Sequence, residues 1–299
     1  MAVIHFIGVG KMGLPMASHL RAAGHGVTVS DPDPARLALA SAQGLEAAAL
    51  PDACGSAQFV FSSLPHDDAV RAVAQQVAAS APQGAIYLDT STVSQQASAD
   101  AAAACTAQGV HYLRCTVSGN NRMAEAAQLT VMASGPRAAW DLALPLLQAF
   151  GPGQFYLGAA EEARLMKLVV NLMIAQTSAM LSEALTLGRK GGLGWQDMWQ
   201  VLGASAVASP IVKAKAVQLS QRDFTPTFTV EQMQKDLQLI LDAGHASQVP
   251  LAQTALTQQW MQAAVAQGDG QDDYAAIIKA VERSAGLPTA TTGTEGRAS

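Results

Sequence analysis

Apolar and polar positions follow two regimes along the chain, and the regime changes near residue 160. Before that point, short β-branched or aromatic runs recur between stretches of helical period. Val3 to Ile7, Gly26 to Ser30, Phe59 to Ser62, Ala85 to Leu88, Val110 to Arg114, Gln128 to Ala133 and Phe155 to Leu157 read as strands. Helices are predicted over Leu14 to Ala23, Asp67 to Ala79, Ser94 to Gln108 and Trp140 to Phe150. Such β-α alternation predicts an α/β domain, 1–160, built on a doubly wound parallel sheet. From Glu161 to about Arg189 one helical stretch spans roughly 29 residues, or about 43 Å. It is apolar around much of its circumference, which predicts burial between domains or subunits. Gly191, Gly192 and Gly194 end it. Only helical patterns follow: Trp195 to Leu202, Ile211 to Leu219, Thr229 to Ala243, Pro250 to Gln267 and Tyr274 to Ser284. The second domain is thus all-helical over 161–288, and the polar tail, 289–299, reads as disordered.

The first strand runs directly into Gly8-Val9-Gly10-Lys11-Met12-Gly13, a G-x-G-x-x-G turn that opens a helix. Strand, turn and helix in that order make a Rossmann-type dinucleotide fingerprint. The first glycine allows the tight turn and the second lets backbone approach a pyrophosphate. The third lets helix and strand pack closely. Lys11 and Met12 complete the loop, and the pyrophosphate would rest on the helix N-terminus. Asp31 lies 18 positions beyond Gly13, at the end of the second strand. A carboxylate there accepts from both ribose hydroxyls and repels a 2′-phosphate, so NAD is favoured and NADP is second. The same residue can also initiate a turn or cap the helix after Pro34, and the two roles can hold together. Ligands in such sheets lie beyond the carboxyl ends of the strands, which places Leu64-Pro65 and Ser91-Thr92 beside the cofactor.

The formal charge of −5 argues against nucleic acid or an anionic membrane surface as partner. Cys54, Cys105 and Cys115 have no paired or metal-like spacing, which predicts a reducing, cytoplasmic setting and no metal. The apolar N-terminus lacks a basic region before it, and the run Leu168 to Ala175 is too short for a bilayer span. The six histidines form no metal-ligand spacing, although His66 adjoins a cofactor loop.

Within the long helix Lys167 and Asn171 stand at i, i+4 and share a face. A lysine among apolar neighbours loses hydration, which lowers its pKa and suits it to proton transfer. A lysine snorkelling from the end of a core helix has the same spacing. Met166, Met173 and Met180 form a seven-residue series, read as core or subunit packing.

Six stretches in order carry a family resemblance: FIGVGKMGLPMASHL (6–20), SSLPHDDAV (62–70), DTSTVS (89–94), TVSGNNRMAEAAQLTVMASG (116–135), KLVVN (167–171) and the weaker QKDLQLIL around Lys235. From Val3 to about Glu282 the chain resembles the β-hydroxyacid dehydrogenases, which include 3-hydroxyisobutyrate dehydrogenase and 2-hydroxy-3-oxopropionate reductase. The resemblance implies a helical C-terminal domain of the 6-phosphogluconate dehydrogenase type. It also implies hydride transfer between NAD(P) and the carbinol carbon of a small β-hydroxy acid. Ser118 and Gly119 would anchor the substrate carboxylate. Lys167 would act as general acid/base, with Asn171 orienting substrate and lysine. Ser91 and Thr92 would line the nicotinamide, Leu64 and Pro65 the adjoining wall, and Lys235 would close the site.

Two positions depart from the family pattern. Asn120 stands where the family has a second glycine, adding an amide beside the carboxylate site, and Val170 replaces the first of two asparagines. A bulkier or differently oxygenated substrate follows, and Arg122 could meet a second acidic group, although an arginine there could simply be exposed. An imine reductase shares this architecture, but the retained lysine argues against it. A non-catalytic nicotinamide-binding protein is the reading from a different class. The apolar long helix predicts a homodimer or homotetramer.

Overall fold

In the computed structural model, which describes residues 1–288, the first apolar run becomes β1 (Val3–Ile7) and the glycine turn opens α1 (Gly13–Ala22). The chain continues through β2 (Gly26–Ser30), α2 (Pro34–Ala42), β3 (Glu46–Ala47), α3 (Leu50–Ser56), β4 (Phe59–Ser62), α4 (Asp67–Ser80), β5 (Ile86–Asp89) and α5 (Gln95–Ala107). Then come β6 (His111–Ser118), α6 (Asn121–Glu125), β7 (Thr130–Ser134), α7 (Arg137–Leu147) and β8 (Gly153–Tyr156). The tail predicted over 289–299 lies outside the described residues.

The eight strands form one sheet in the order β3-β2-β1-β4-β5-β6-β7-β8, so the winding reverses beside β1. Ile7 is level with Ser30 and Ser62, Ser62 with Asp89, and Asp89 with Arg114. The loops after β1, β2, β4 and β5 therefore leave from one edge, where such sheets bind ligands. The all-parallel expectation fails at one pair. Strands β6 and β7 are antiparallel, from Arg114↔Ser134 to Ser118↔Thr130. Only residues 119–129 join them, too few for the crossover that a parallel pair needs. Strand β3 and helices α3 and α6 carry no clear apolar period in the sequence. Two of them lie in the alanine-rich stretch 46–56.

One sheet face packs Phe6 against Phe61, with ring centroids 5.7 Å apart, and Phe61 edge-on to Phe150. The other face buries Val60, Tyr87 and Tyr112 under α4 and α5. The three cysteines are unpaired and buried. Burial pushes the Cys54 thiol up to about 11 and that of Cys105 to about 12, which keeps both protonated.

The chain divides into two compact units, one ending at Leu168 and one beginning at Val169. The division falls inside α8 (Glu162–Lys190), the long helix. Beyond it lie α9 (Trp195–Ala204), α10 (Pro210–Leu219), α11 (Val230–Ala246), α12 (Ala252–Ala266) and α13 (Ile277–Ser284). Leu181, Leu185, Met198, Trp199 and Ile278 form a core of this unit. Two fully buried acids brace it: Asp273 pairs with Lys215, and Glu282 with Arg189 and Arg222.

By length and composition alone α8 could cross a membrane, because the whole helix exceeds the short run Leu168 to Ala175. Its buried side nevertheless carries Arg164, Asn171, Ser178, Ser182 and Thr186. The methionine series is not core: Met166, Met173 and Met180 are 38%, 66% and 55% exposed. Leu187, seven residues further on, continues the stripe at 75%. Among the described residues, no group of three or more His, Cys, Asp or Glu could hold a metal ion.

Candidate active site

The glycine turn has the close contacts its sequence implies. A Cβ on Gly13 would lie 1.9 Å from the Gly8 carbonyl oxygen, so only glycine lets α1 start this near β1. Gly10 faces open space, where a Cβ would meet no atom within 4 Å. Met12 gives the first turn of α1 no side-chain cap. The turn thus fits a dinucleotide pyrophosphate, with helix N–H groups available to an anion. Lys11 is exposed and Met12 half-buried at its rim.

Asp31 joins this cradle. Its Oδ2 accepts from the Val9 amide and its Oδ1 from the Asp33 amide, both at 2.9 Å. The helix cap belongs to Asp33, whose carboxylate takes the Ala35 amide. Asp31 is therefore a turn residue, and its carboxylate is fixed beside the glycine loop. A cavity of about 380 Å³ opens next to it, lined by Ser30, Asp31, Leu37, Ala47, Ala48, Ala49 and Leu50. Apolar walls with one carboxylate suit an adenine nucleoside. The alanines of this wall carried no signal in the sequence.

The Leu64-Pro65 and Ser91-Thr92 loops meet at Ser91. Its hydroxyl accepts from the Leu64 amide at 2.9 Å and donates to Asp89 Oδ1 at 2.5 Å. Ser91 is buried, so its side chain shapes the loops from beneath instead of lining their surface. His66 caps α4, its Nδ1 accepting from the Ala69 amide at 3.2 Å.

The substrate loop begins where β6 ends. Gly119 has φ +136°, and a Cβ there would strike Leu129 at 2.6 Å, so glycine is required. Asn120 caps α6 through Oδ1, which accepts from the Met123 amide at 3.0 Å. Its NH2 remains as the amide group a ligand could meet. Helix α6 rests on α1, where the His19 ring bonds the Ala124 carbonyl at 2.8 Å. Arg122 is exposed and has no ion pair among the described residues.

The start of α8 is strapped to the sheet. Ser134 Oγ donates to the Ala160 carbonyl and accepts from the Ala163 amide, while Thr116 Oγ1 donates to the Ala163 carbonyl. Arg114 pairs with Glu161, and Arg164 with Asp89. One turn on, Lys167 Nζ donates to the Val117 carbonyl at 2.8 Å. The ammonium is thereby held one residue from Ser118.

Asn171 follows one helical turn later and is 4% exposed. Its amide Nδ2 donates to Asp236 Oδ2 at 2.6 Å. Lys235 lies beside Asp236, with Nζ 3.2 Å from Oδ1. Asp236, Asp89 and Arg164 were not singled out by spacing. Asp89 and Asp236 lie within the stretches DTSTVS and QKDLQLIL, but the pairs Asp89–Arg164 and Asp236–Asn171 join residues far apart in sequence, which local spacing does not mark.

Two family models match the chain. The NAD-binding domain of 6-phosphogluconate dehydrogenase matches residues 3–158, and the NAD-binding region of NADP-dependent 3-hydroxyisobutyrate dehydrogenase matches 162–281. The chain is 33% identical over 289 residues to 2-(hydroxymethyl)glutarate dehydrogenase of Eubacterium barkeri, covering 95% of this chain and 96% of that one. The solved structure of Mycobacterium tuberculosis 3-hydroxyisobutyrate dehydrogenase with L-serine superposes with a TM-score of 0.87 at 28% identity. That match covers 94% of this chain and 99% of the other. An imine reductase from Pseudomonas sp. shares the fold at a TM-score of 0.61 and 21% identity, over 94% and 99% of the two chains.

Proposed function

We propose that this chain, which belongs to the β-hydroxyacid dehydrogenase family, oxidises a small β-hydroxy acid with NAD as its preferred cofactor. It is an NAD(P)-dependent oxidoreductase. The observation that carries the finer reading is the Lys167 ammonium held at the Val117 carbonyl, beside Ser118 and Gly119. The Ser118 hydroxyl and the Gly119 amide hold the substrate carboxylate, with the Asn120 NH2 at its side. In the oxidation direction Lys167 acts as the neutral amine, takes the hydroxyl proton and becomes the ammonium; in the reverse direction that ammonium returns the proton to the carbonyl oxygen. Asn171 orients the substrate. When bound, the nicotinamide supplies the hydride acceptor at C4. Gly8, Gly10, Lys11, Met12 and Gly13 receive the pyrophosphate, and Asp31 the ribose. Leu64, Pro65, Ser91, Thr92 and Lys235 border the nicotinamide half.

The functional division at residue 160 is supported by the gap between the two family matches. Arg122, exposed on α6, would meet a second carboxylate, and a relative named for a glutarate acid favours that substrate type. The exposed stripe on α8 supports a homodimer or homotetramer. Unpaired cysteines support a cytoplasmic location. The test is a panel of 3-hydroxyisobutyrate, glycerate, serine, threonate, 3-hydroxypropionate and 2-(hydroxymethyl)glutarate with NAD and NADP, read by nicotinamide absorbance. Turnover of at least one acid, faster with NAD, is expected. Turnover of a cyclic imine in place of every acid would sink the assignment.

A further inference from the structure

We propose that Arg164 is a positioning residue for the nicotinamide half of the cofactor site. This rests on the reading of the Leu64-Pro65 and Ser91-Thr92 loops as the border of that half. Arg164 is 1% exposed and its partner Asp89 is fully buried. The guanidinium uses its whole fork. Nε donates to Ser98 Oγ at 3.1 Å, and Nη1 to the Ser91 carbonyl. Nη2 donates to Asp89 Oδ2 at 2.5 Å and to the Tyr112 hydroxyl at 3.0 Å.

Asp89 relays this anchor to the loops. Its Oδ2 also takes the Tyr112 hydroxyl, while Oδ1 accepts from Ser62 Oγ at 2.7 Å, the Ser91 amide at 3.1 Å and Ser91 Oγ. Ser91 Oγ in turn accepts from the Leu64 amide. Donors and acceptors alternate without conflict from Arg164 through Asp89 and Ser91 to the Leu64 backbone. The side chain on α8 thus grips one loop directly, by the Ser91 carbonyl, and the other at two removes. Lys167 sits three residues along the same helix.

A buried ion pair contributes little net stability, because desolvation offsets most of the attraction, and an apolar pair of similar volume often does as well. Stability is therefore a poor account of this one. Burial pushes the guanidinium down, but Asp89 and Tyr112 outweigh it and hold the group above its ordinary value, so the charge persists. What the pair supplies is direction: a planar fork fixes four acceptors at once, which a lysine cannot do.

The experiment compares NADH with ADP-ribose, which lacks the nicotinamide, by calorimetric titration of the full chain. Two proteins are set against wild type: Arg164→Lys, and the double variant Arg164→Met with Asp89→Asn, which leaves no uncompensated charge. Thermal unfolding checks that each is folded. The expected result is an ADP-ribose Kd within about threefold of wild type, with NADH affinity relative to ADP-ribose reduced about tenfold or more. A ratio unchanged in the folded variants, or both ligands weakened equally, overturns the positioning role. Failure of wild type to bind either ligand overturns the dinucleotide reading itself, and the proposal with it.

Discussion

Lys167 donates its ammonium to the carbonyl of Val117, the residue before Ser118, at 2.8 Å. A proton-bearing group is fixed to the strand that ends in the substrate loop. Lys167→Ala is expected to lower kcat about 10³-fold, within the usual span for losing a general acid/base. The Kd for NADH, measured by fluorescence, should stay near wild type. Turnover close to wild type would remove Lys167 from the reaction.

Asp31 holds two backbone amides as well as a charge, and the two roles can be separated. Asp31→Asn keeps an acceptor for Val9, gives up the exposed bond from the Asp33 amide, and removes the charge that opposes a 2′-phosphate. The kcat/KM ratio of NAD to NADP should fall about tenfold, equivalent to about 1.4 kcal/mol. Unfolding by urea should change little. An unaltered cofactor ratio would leave Asp31 with the turn alone.

Asn171 is oriented by Asp236 at 2.6 Å. Asp236→Leu strands a buried amide and should cost about 1–3 kcal/mol in stability. It should also lower kcat more than it raises KM. Asp236→Asn, whose carbonyl can still accept, should recover most of the activity. Equal loss in the two variants would argue against orientation by the acceptor.

His5 is buried in β1, its Nδ1 2.9 Å from Thr28 Oγ1 and its Nε2 3.0 Å from Ser30 Oγ on β2. Burial depresses its pKa from 6.5 to about 4. The folded state keeps the ring neutral while the unfolded chain takes up a proton below pH 6.5. Stability from this group is therefore complete above pH 6.5 and erodes as pH falls towards 4. The gap in unfolding free energy between wild type and His5→Gln should narrow by about 2 kcal/mol from pH 7 to pH 5. A constant gap would mean that the ring titrates normally.

Met173 and Met180 project from α8 at 66% and 55% exposure. A second copy of the chain would cover them with adaptable, polarizable contacts. The paired change Met173→Lys and Met180→Lys should shift sedimentation from oligomer towards monomer. A wild-type chain that sediments as a monomer would leave the stripe without this role.

The glycine turn was readable because its chemistry needs contiguous residues, each with a local backbone task. The long helix was readable for a similar reason, its period being continuous over eight turns. Arg164 and Asp89 were not, because they stand 75 residues apart and meet only once sheet and helix are assembled. Asp236 and Asn171 likewise stand 65 residues apart. The methionine period showed which face the side chains share but not whether anything covers it. Strand period carries no direction, so it leaves the orientation of β7 open, and the predicted strands Val110 to Arg114 and Gln128 to Ala133 are about a dozen residues apart, enough for a parallel crossover. Only the extension of β6 to Ser118 shortens that link to 119–129.

That reversal at β7 also bears on how such an enzyme can diversify. In a parallel crossover, the linking segment must span the sheet and pack on it, so its length is constrained. Residues 119–129 carry no such duty, since they return directly to the neighbouring strand. Beyond the Gly119 contact with Leu129 and the cap at Asn120, residues could be added or exchanged there without re-threading the sheet. Substrate range can then evolve in a hairpin, while the cofactor edge and the anchored helix keep their register.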